Sequence, residues 1–220
     1  MLPAPAHAPP VAVHVLGASA RGRTIRALEV GTPEARRKVL VVGCIHGNEP
    51  AGIAIADRLA TLPPLRGVDL WIVPDLNPDG VAANTRQNAD GVDLNRNFPW
   101  HWLPLGPPGS TYYPGPHALS EPESRIAYRL VLRLRPAVAI WFHQHLDLVD
   151  ESGGSVAVER QFAAVARLPL RRLVRYPGSA TTWEDHAVPT GTAFVVELGP
   201  GRLASADVGR FAGAVRAVSR

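Results

Sequence analysis

The stretch VLVVGCIHGNEPAG, residues 39–52, ends an apolar run with two strong metal ligands, His46 and Glu49. Their spacing of three lets both side chains turn toward a common point just after a buried strand. Catalytic zinc sites use three protein ligands and leave a fourth position open, and two histidines with one glutamate are a standard set. H-x-x-E also occurs in solvated polar turns, so the pair is at most half of a metal site.

A third ligand must come from elsewhere in the chain, and His143 is the best candidate. It ends the apolar run PAVAIWFHQH, residues 136–145, which is typical of another buried strand. His145 lies two residues farther on and, in an extended chain, would project from the same face, so it remains the alternative. The other histidines have no partner at ligand spacing and are interpreted as surface or loop residues.

The segment TRQNADGVDLNRNFPW, residues 85–100, is rich in groups that bind carboxylates. Arg86 and Arg96 can each make forked, charge-assisted hydrogen bonds to a carboxylate or to a developing oxyanion. Asn95 adds an amide donor, and Asp93 can orient a ligand histidine through its second ring nitrogen. The same residues could instead cap and bridge loops, and the segment alone leaves that alternative open.

One further carboxylate, Glu197, ends the apolar run FVVELGPG. Beside a metal ion it would act as a general base, taking a proton from the attacking water and passing it to the leaving amine. The alternative is a capping or salt-bridged carboxylate at a strand end. Because the strand is otherwise so apolar, we favour the catalytic interpretation.

The overall composition is that of one globular domain, which we expect over residues 11–220. The chain has 220 residues, 46% of them hydrophobic and 19% charged, which allows a sizeable core. The net charge of +4 is scattered. Its densest basic stretch, RLPLRRLVRY at residues 167–176, predicts a helix or strand with a solvated face rather than a nucleic-acid site. The Pro/Gly-rich run at residues 102–117 predicts an irregular loop near the site.

Cysteine content and hydropathy exclude several further classes. The single cysteine, Cys44, excludes a disulfide framework and a thiolate zinc cluster. No segment approaches about 18 consecutive apolar residues, so no membrane span is expected. Residues 1–10 predict a flexible leader that is not a complete signal peptide. We expect a cytoplasmic protein, or an exported one if a signal peptide was trimmed, and nothing in the sequence specifies an oligomeric state.

Predicted strands alternate with predicted helices along the chain. The predicted strands cover residues 24–31, 37–45, 68–76, 136–145 and 191–201, and the predicted helices cover residues 50–62, 120–135 and 205–220. Ser120 and Glu123 form a capping-box pattern. Several strands are apolar on both sides, which is typical of an α/β fold whose sheet is covered on both faces. In such sheets functional groups gather beyond the carboxyl ends of strands, where His46, His143 and Glu197 fall.

Six motifs occur in the order found in zinc carboxypeptidases of the M14 type: HGNE, NPDG, GVDLNRNFP, SEPES, FHQ and VVELG. The chain resembles most their compact bacterial branch, the murein peptide amidase A-like enzymes. The resemblance implies a three-layer αβα fold with a central mixed, mostly parallel sheet of about eight strands. It also implies one zinc ion held by His46, Glu49 and His143, with Glu197 as the catalytic glutamate.

The resemblance further implies roles for the cationic segment. Asn95 and Arg96 match the pair that holds the terminal carboxylate of the substrate. Arg86 matches, less closely, the arginine that stabilises the tetrahedral oxyanion. The family also carries a mobile tyrosine shortly before its catalytic glutamate, whereas here no tyrosine lies close to Glu197 in the sequence and Tyr176 is distant.

In place of that tyrosine, the segment from Trp183 to His186 is the predicted lid of the site. Trp183 and Asp185 are predicted to contact the substrate. Glu184 and Asp185 could accept a cationic group, such as the amine of diaminopimelate. This prediction rests on charge alone.

The sequence therefore predicts a zinc-dependent carboxypeptidase or peptide amidase that cleaves an amide bond near a free carboxylate. A peptidoglycan-derived γ-D-glutamyl-diaminopimelate peptide is a candidate substrate. The nearest alternative is a zinc deacylase of small N-acyl amino acids resembling succinylglutamate desuccinylase and aspartoacylase, although NRNFP and SEPES favour the peptidase branch. A catalytically inactive binding module for cell-wall peptides is a second alternative, and the retained Glu197 argues against it.

Overall fold

The computed structural model describes residues 11–220, so the predicted leader, residues 1–10, lies outside the described residues. Within this part, the strands are β1 (Val11–Ala18), β2 (Thr24–Gly31), β3 (Arg37–Val42), β4 (Val68–Val73), β5 (Val138–Gln144), β6 (Leu148–Asp150), β7 (Leu170–Arg171) and β8 (Ala193–Leu198). The helices are α1 (Ala51–Ala60), α2 (Pro78–Ala83), α3 (Pro122–Leu134), α4 (Val156–Ala166), α5 (Ala180–Ala187) and α6 (Ser205–Val218). None of these helices combines the length and hydropathy that crossing a bilayer requires.

The strands form one mixed sheet in the order β1-β2-β4-β3-β5-β8-β6-β7. The central strands β4, β3, β5 and β8 run parallel to one another, and β6 pairs parallel with β7. The pairs β1–β2, β2–β4 and β6–β8 are antiparallel. This arrangement confirms the predicted mixed, mostly parallel sheet.

Alternating side chains of the central strands bury an apolar cluster on each face of the sheet. On β3, Val39 and Val41 join the cluster that includes residues of α1, α4 and α6. Leu40 and Val42 join the opposite cluster, which includes residues of α3 and α5. Because successive residues of a strand point to opposite faces, strands that are apolar on both sides need helices on both sides. The three-layer αβα prediction is confirmed.

Helix α3 begins later than the capping-box pattern predicted. Pro122 takes the first helical position, with Glu121 as the N-cap. Ser120 Oγ donates to Glu121 Oε1 at 2.6 Å, while Glu123 accepts a hydrogen bond from the backbone N–H of Ala20 at 2.9 Å. The predicted capping box is wrong because proline, with its fixed φ and missing N–H, is favoured at the first position and sets the start of the helix there.

The basic stretch at residues 167–176 is mostly irregular, so the prediction of a helix or strand there is wrong. Only the two residues of β7 are extended and paired with a neighbouring strand. The chain then continues without regular structure and brings Arg175 and Tyr176 to the cavity described below. The predicted loop at residues 102–117 is confirmed as irregular, and its Tyr112 reaches the same cavity.

Candidate metal centre and active site

Three buried side chains meet at the carboxyl ends of β3 and β5. His46 Nδ1 lies 3.0 Å from Glu49 Oε2, and His143 Nδ1 lies 3.1 Å from His46 Nδ1 and 3.0 Å from Glu49 Oε2. Their exposed fractions are 1%, 4% and 4% for His46, Glu49 and His143. The structure therefore brings the three predicted metal ligands together.

This triad fits a zinc ion. The second ring nitrogen of His46, Nε2, lies 3.1 Å from Asp93 Oδ1. Because a carboxylate only accepts, this contact assigns the proton to Nε2 and leaves a lone pair on Nδ1. Ligand atoms of a tetrahedral zinc with bonds of about 2.0–2.1 Å lie about 3.3 Å apart, which is close to the triangle observed here. His-Glu-His is also a donor set that zinc favours.

Two glycines allow the turn that carries His46 and Glu49. A Cβ on Gly47 would lie 1.8 Å from the carbonyl carbon of Gly80 in α2, and one on Gly43 would lie 2.5 Å from the carbonyl oxygen of Pro74. No side chain fits at those separations, so only glycine permits the close approach. The turn itself is closed by the Glu49 N–H, which donates to the His46 carbonyl at 2.9 Å.

A carboxylate and a guanidinium behind the triad fix its orientation. Arg86 donates through Nε to Asp93 Oδ2 at 2.9 Å and through Nη1 to Glu49 Oε1 at 3.2 Å. Burial opposes ionisation of Asp93, but its contact with His46 and the charges of Arg86 and Arg96 outweigh burial and hold the pKa of Asp93 well below the usual range. Asp93 is therefore a charged partner for His46, as the sequence predicted.

Glu197 lies beside the triad because its strand pairs with β5. In the register of β5 and β8, Glu197 is directly opposite His143. Its Oε2 is buried and has no hydrogen-bond partner among the described residues. Burial, and then the charge of Glu49, raise the pKa of Glu197 to about 7. A buried carboxyl with a free oxygen next to a metal-ligand triad has the position of a general base.

A cavity of about 310 Å³ contains seven of the nine predicted site residues: His46, Glu49, His143, Arg86, Asn95, Arg96 and Glu197. The other two, Trp183 and Asp185, lie outside it. His145, the alternative ligand, is exposed and lines a separate cavity along α1. The sequence-based preference for His143 over His145 is therefore the one that the geometry supports.

Arg96 packs against two aromatic rings that also stack on each other. Its guanidinium carbon lies 4.3 Å from the ring centroid of Tyr176 and 5.4 Å from that of Tyr112. Nη1 donates to the Asn95 carbonyl at 2.6 Å, and Nε is buried with no hydrogen-bond partner among residues 11–220. The Asn95 side chain accepts a hydrogen bond from the Ala180 N–H at 2.9 Å. The cation is thus oriented in the cavity and retains an unused donor.

The predicted lid is instead a buried helix, α5. Trp183 is 4% exposed and stacks on Phe98 and Tyr128, with ring centroids 5.2 and 4.9 Å away. Asp185 accepts hydrogen bonds from the N–H groups of Ala193 and Gly153 at 2.8 and 3.3 Å. The prediction that Trp183 and Asp185 contact substrate is therefore wrong, because packing and backbone contacts occupy both side chains.

Sequence reasoning missed four charged or aromatic residues that line the cavity: Tyr112, Asp150, Arg175 and Tyr176. Tyr176 is far from Glu197 in the sequence but shares its cavity. Arginines alternate with apolar residues around Tyr176, and this pattern predicted a solvated face. The adjacent Arg175 and Tyr176 were the one available sign that the segment contributes to a binding site.

Comparison with known proteins agrees with this geometry. The family profile of zinc carboxypeptidases, Peptidase M14, matches residues 5–149. Murein peptide amidase A from Escherichia coli K12 is 33% identical over 168 residues, which cover 68% of this chain and 66% of that protein. The match therefore spans just under two thirds of the length of that relative.

Solved structures agree on the fold. The murein-tripeptide amidase of Escherichia coli O157 superposes with a TM-score of 0.74 at 26% identity, covering 96% of this chain and 94% of that one. Carboxypeptidase A from Helicoverpa armigera superposes with a TM-score of 0.80 at 21% identity, covering 95% of this chain and 68% of the other. At that lower identity the second match shows the fold alone.

Proposed function

This chain belongs to the zinc carboxypeptidase family, and from that premise we propose that it hydrolyses an amide bond next to a free carboxylate in a peptide. One observation carries the proposal: a single cavity gathers the His-Glu-His triad, the Glu197 carboxyl with its unpartnered Oε2, and the guanidinium groups of Arg86 and Arg96. Metal ligands, a base and cations for an anionic substrate are the parts that such a hydrolysis needs.

The proton transfers are assigned to Glu197. A zinc ion held by the triad supplies Lewis-acid chemistry, polarising the scissile carbonyl and lowering the pKa of water. Glu197, with its free Oε2, accepts a proton as water attacks and returns it to the leaving amine. His46, oriented by Asp93, and His143, fixed opposite Glu197 by the sheet register, keep the base and the metal ligands in constant relation.

The two arginines of the cavity divide the anionic charges of the substrate. Arg86 is fixed by Asp93 and Glu49 next to the triad, so we assign it to the oxyanion that develops on the scissile carbonyl. Arg96 packs against two tyrosine rings and has an unused Nε–H, and we assign it, together with Asn95, to the free carboxylate. This division places the scissile bond between the triad and Arg96.

The substrate class follows from the cavity and from the relatives. At about 310 Å³ the cavity is at the small end of the range for ligand pockets, which suits one terminal residue. Two relatives are named for amidase activity on murein peptides. We therefore propose a peptidoglycan-derived peptide, with the γ-D-glutamyl-diaminopimelate bond as the bond cleaved.

The test is a digest of L-alanyl-γ-D-glutamyl-diaminopimelate by the zinc-loaded protein, read by mass spectrometry. We expect release of free diaminopimelate, which a chelator stops and added zinc restores. N-succinyl and N-acetyl amino acids, run in parallel, should remain intact. Cleavage of these acyl amino acids without peptide cleavage would replace the proposal with a deacylase, and turnover that survived removal of the metal would refute the mechanism.

A further inference from the structure

The cavity has a second charged region, formed by Asp150 and Arg175, to which the mechanism gives no task. Asp150 ends β6 and is 3% exposed. Its Oδ2 is ion-paired with Arg175 Nη1, and its Oδ1 accepts the N–H of Leu173 at 2.9 Å. Both charged residues line the cavity that holds the triad. They come from β6 and the irregular segment after β7, so they are not among the residues at the ends of β3, β5 and β8.

Both members of the pair keep hydrogen-bonding capacity. A carboxylate has about four lone-pair sites, and the two contacts to Asp150 leave about half of them available. Of the roughly five N–H groups of an arginine, Arg175 uses one on Asp150 and two on the carbonyls of Glu151 and Ser152. The pair can therefore accept hydrogen bonds from an ammonium and donate hydrogen bonds to a carboxylate at the same time.

The charge of the pair decides which ligand it prefers. Asp150 and Arg175 are together neutral, and Thr181, Thr182 and Val195, which line the same cavity, carry no charge. A lone ammonium there would meet Arg175 as well as Asp150, and a lone carboxylate would meet Asp150 as well as Arg175. A group with both charges can match both partners and adds no net charge to a half-enclosed site.

We propose that Asp150 and Arg175 determine specificity by binding a zwitterionic group, an ammonium and a carboxylate on one carbon, at the end of the side chain of the released residue. This inference rests on the proposed hydrolase function and assigns the residues that read the side chain. It replaces the role predicted for Glu184 and Asp185, which lie outside the cavity. The competing interpretation is that the pair only clamps the segment after β7 onto β6.

The experiment deletes each charge from the substrate in turn. Four peptides share the L-alanyl-γ-D-glutamyl portion and end in diaminopimelate, in lysine, which lacks the side-chain carboxylate, in 2-aminopimelate, which lacks the side-chain amine, or in norleucine, which lacks both. Since a hydrogen bond to a charged group contributes about 1.5–3 kcal/mol, we expect the wild-type kcat/KM to fall about tenfold to a hundredfold for lysine and for 2-aminopimelate, and further for norleucine, which lacks both groups. The loss should appear mainly in KM.

Two variants connect the preference to the residues. Asp150→Asn should reduce the advantage of diaminopimelate over 2-aminopimelate, and Arg175→Gln should reduce its advantage over lysine. Arg172→Gln is the matched control, because the Arg172 side chain is 71% exposed and lies outside the cavity. Circular dichroism and zinc content identify a variant that fails to fold.

The possible outcomes distinguish failure of the zwitterion inference from failure of the hydrolase proposal. If the wild type cleaves all four peptides equally, the zwitterion inference is wrong while the hydrolase proposal stands. If it cleaves none, the hydrolase proposal itself fails. If both variants lower kcat equally for every peptide and leave the ranking unchanged, the pair is only a clamp. The wild-type comparison decides the inference even if Asp150→Asn does not fold.

Discussion

Two sides of one cavity are built in different ways. The metal-ligand side carries His46, His143 and Glu197 at or just after the ends of β3, β5 and β8, neighbouring strands whose backbones are hydrogen-bonded to one another. The other side carries Asp150 and Tyr176, which come from the three-residue strand β6 and an irregular segment. His143 and Glu197 are fixed by the sheet register, whereas the irregular segment with Arg175 and Tyr176 is held by side-chain contacts.

The difference separates chemistry from selectivity. His143 and Glu197 lie on paired central strands and cannot move without shifting their neighbours. The turn of His46 and Glu49 is held by close backbone contacts at Gly43 and Gly47, so the triad and the base form one rigid unit. A loop-borne wall can change its residues without disturbing the sheet, which is why specificity is commonly carried on loops held by a rigid scaffold. Changes on the first side should therefore affect every substrate, and changes on the second should affect substrates differently.

The largest expected effect comes from Glu197→Gln on the metal-ligand side. The substitution keeps the shape of the side chain but removes the base, and loss of a general base costs about 10²- to 10⁴-fold in rate. We expect kcat on the murein tripeptide to fall by that factor while KM and bound zinc stay unchanged. Steady-state kinetics and metal analysis of the same preparation provide the measurement. A variant that retained activity would show that another group moves the proton.

The metal-ligand side of the cavity could be predicted from the sequence, whereas the side with Asp150 and Arg175 could not. Apolar runs that end in His or Glu are visible as strand ends, and parallel strands bring their carboxyl ends to one edge, so His46, Glu49, His143 and Glu197 could be predicted together. No pattern in the sequence links Asp150 to Arg175, because their contact depends on how β6 and the segment after β7 pack. Trp183 was misassigned because an amphipathic segment near a site suits a lid and a core helix equally well.

A smaller effect is expected from Asp93→Asn, which tests how far the rigidity of the metal-ligand side depends on its supporting contacts. Asp93 accepts hydrogen bonds from His46 and Arg86, and asparagine would keep the size of the side chain but lose its charge. Loss of such a partner typically weakens metal binding about 10- to 100-fold. Zinc affinity, measured by competition with a chromophoric chelator, should fall by that factor, and excess zinc should restore much of the activity. Unchanged affinity would mean that the sheet alone orients His46.

The smallest effect on catalysis is expected from Glu184→Gln, which tests whether the acidic part of α5 contacts the substrate. Glu184 is 2% exposed, and its Oε2 accepts the Trp141 indole N–H at 2.9 Å while Oε1 is buried without a partner among the described residues. Because neither oxygen faces the cavity lining, activity on all four peptides should stay the same. A change in the ranking of the peptides would show that Glu184 influences substrate binding, as the sequence predicted.

Glu184→Gln should change the free energy of unfolding although it leaves activity unchanged. Burial, with a smaller contribution from Asp185, raises the pKa of Glu184 from 4.5 to about 8, so the folded protein binds this proton more tightly than the unfolded chain. The associated stability is complete below pH 4.5 and is lost as the pH rises through about 8. Urea unfolding of the zinc-loaded protein should therefore show that Glu184→Gln is more stable than the wild type at pH 9, by on the order of a few kcal/mol, and loses this advantage at pH 5. Glu34→Gln, at an exposed position, should show no such crossover. If the two variants behaved alike, Glu184 would be ionised in the fold, and its burial in α5 would have to be offset by a contact other than Trp141.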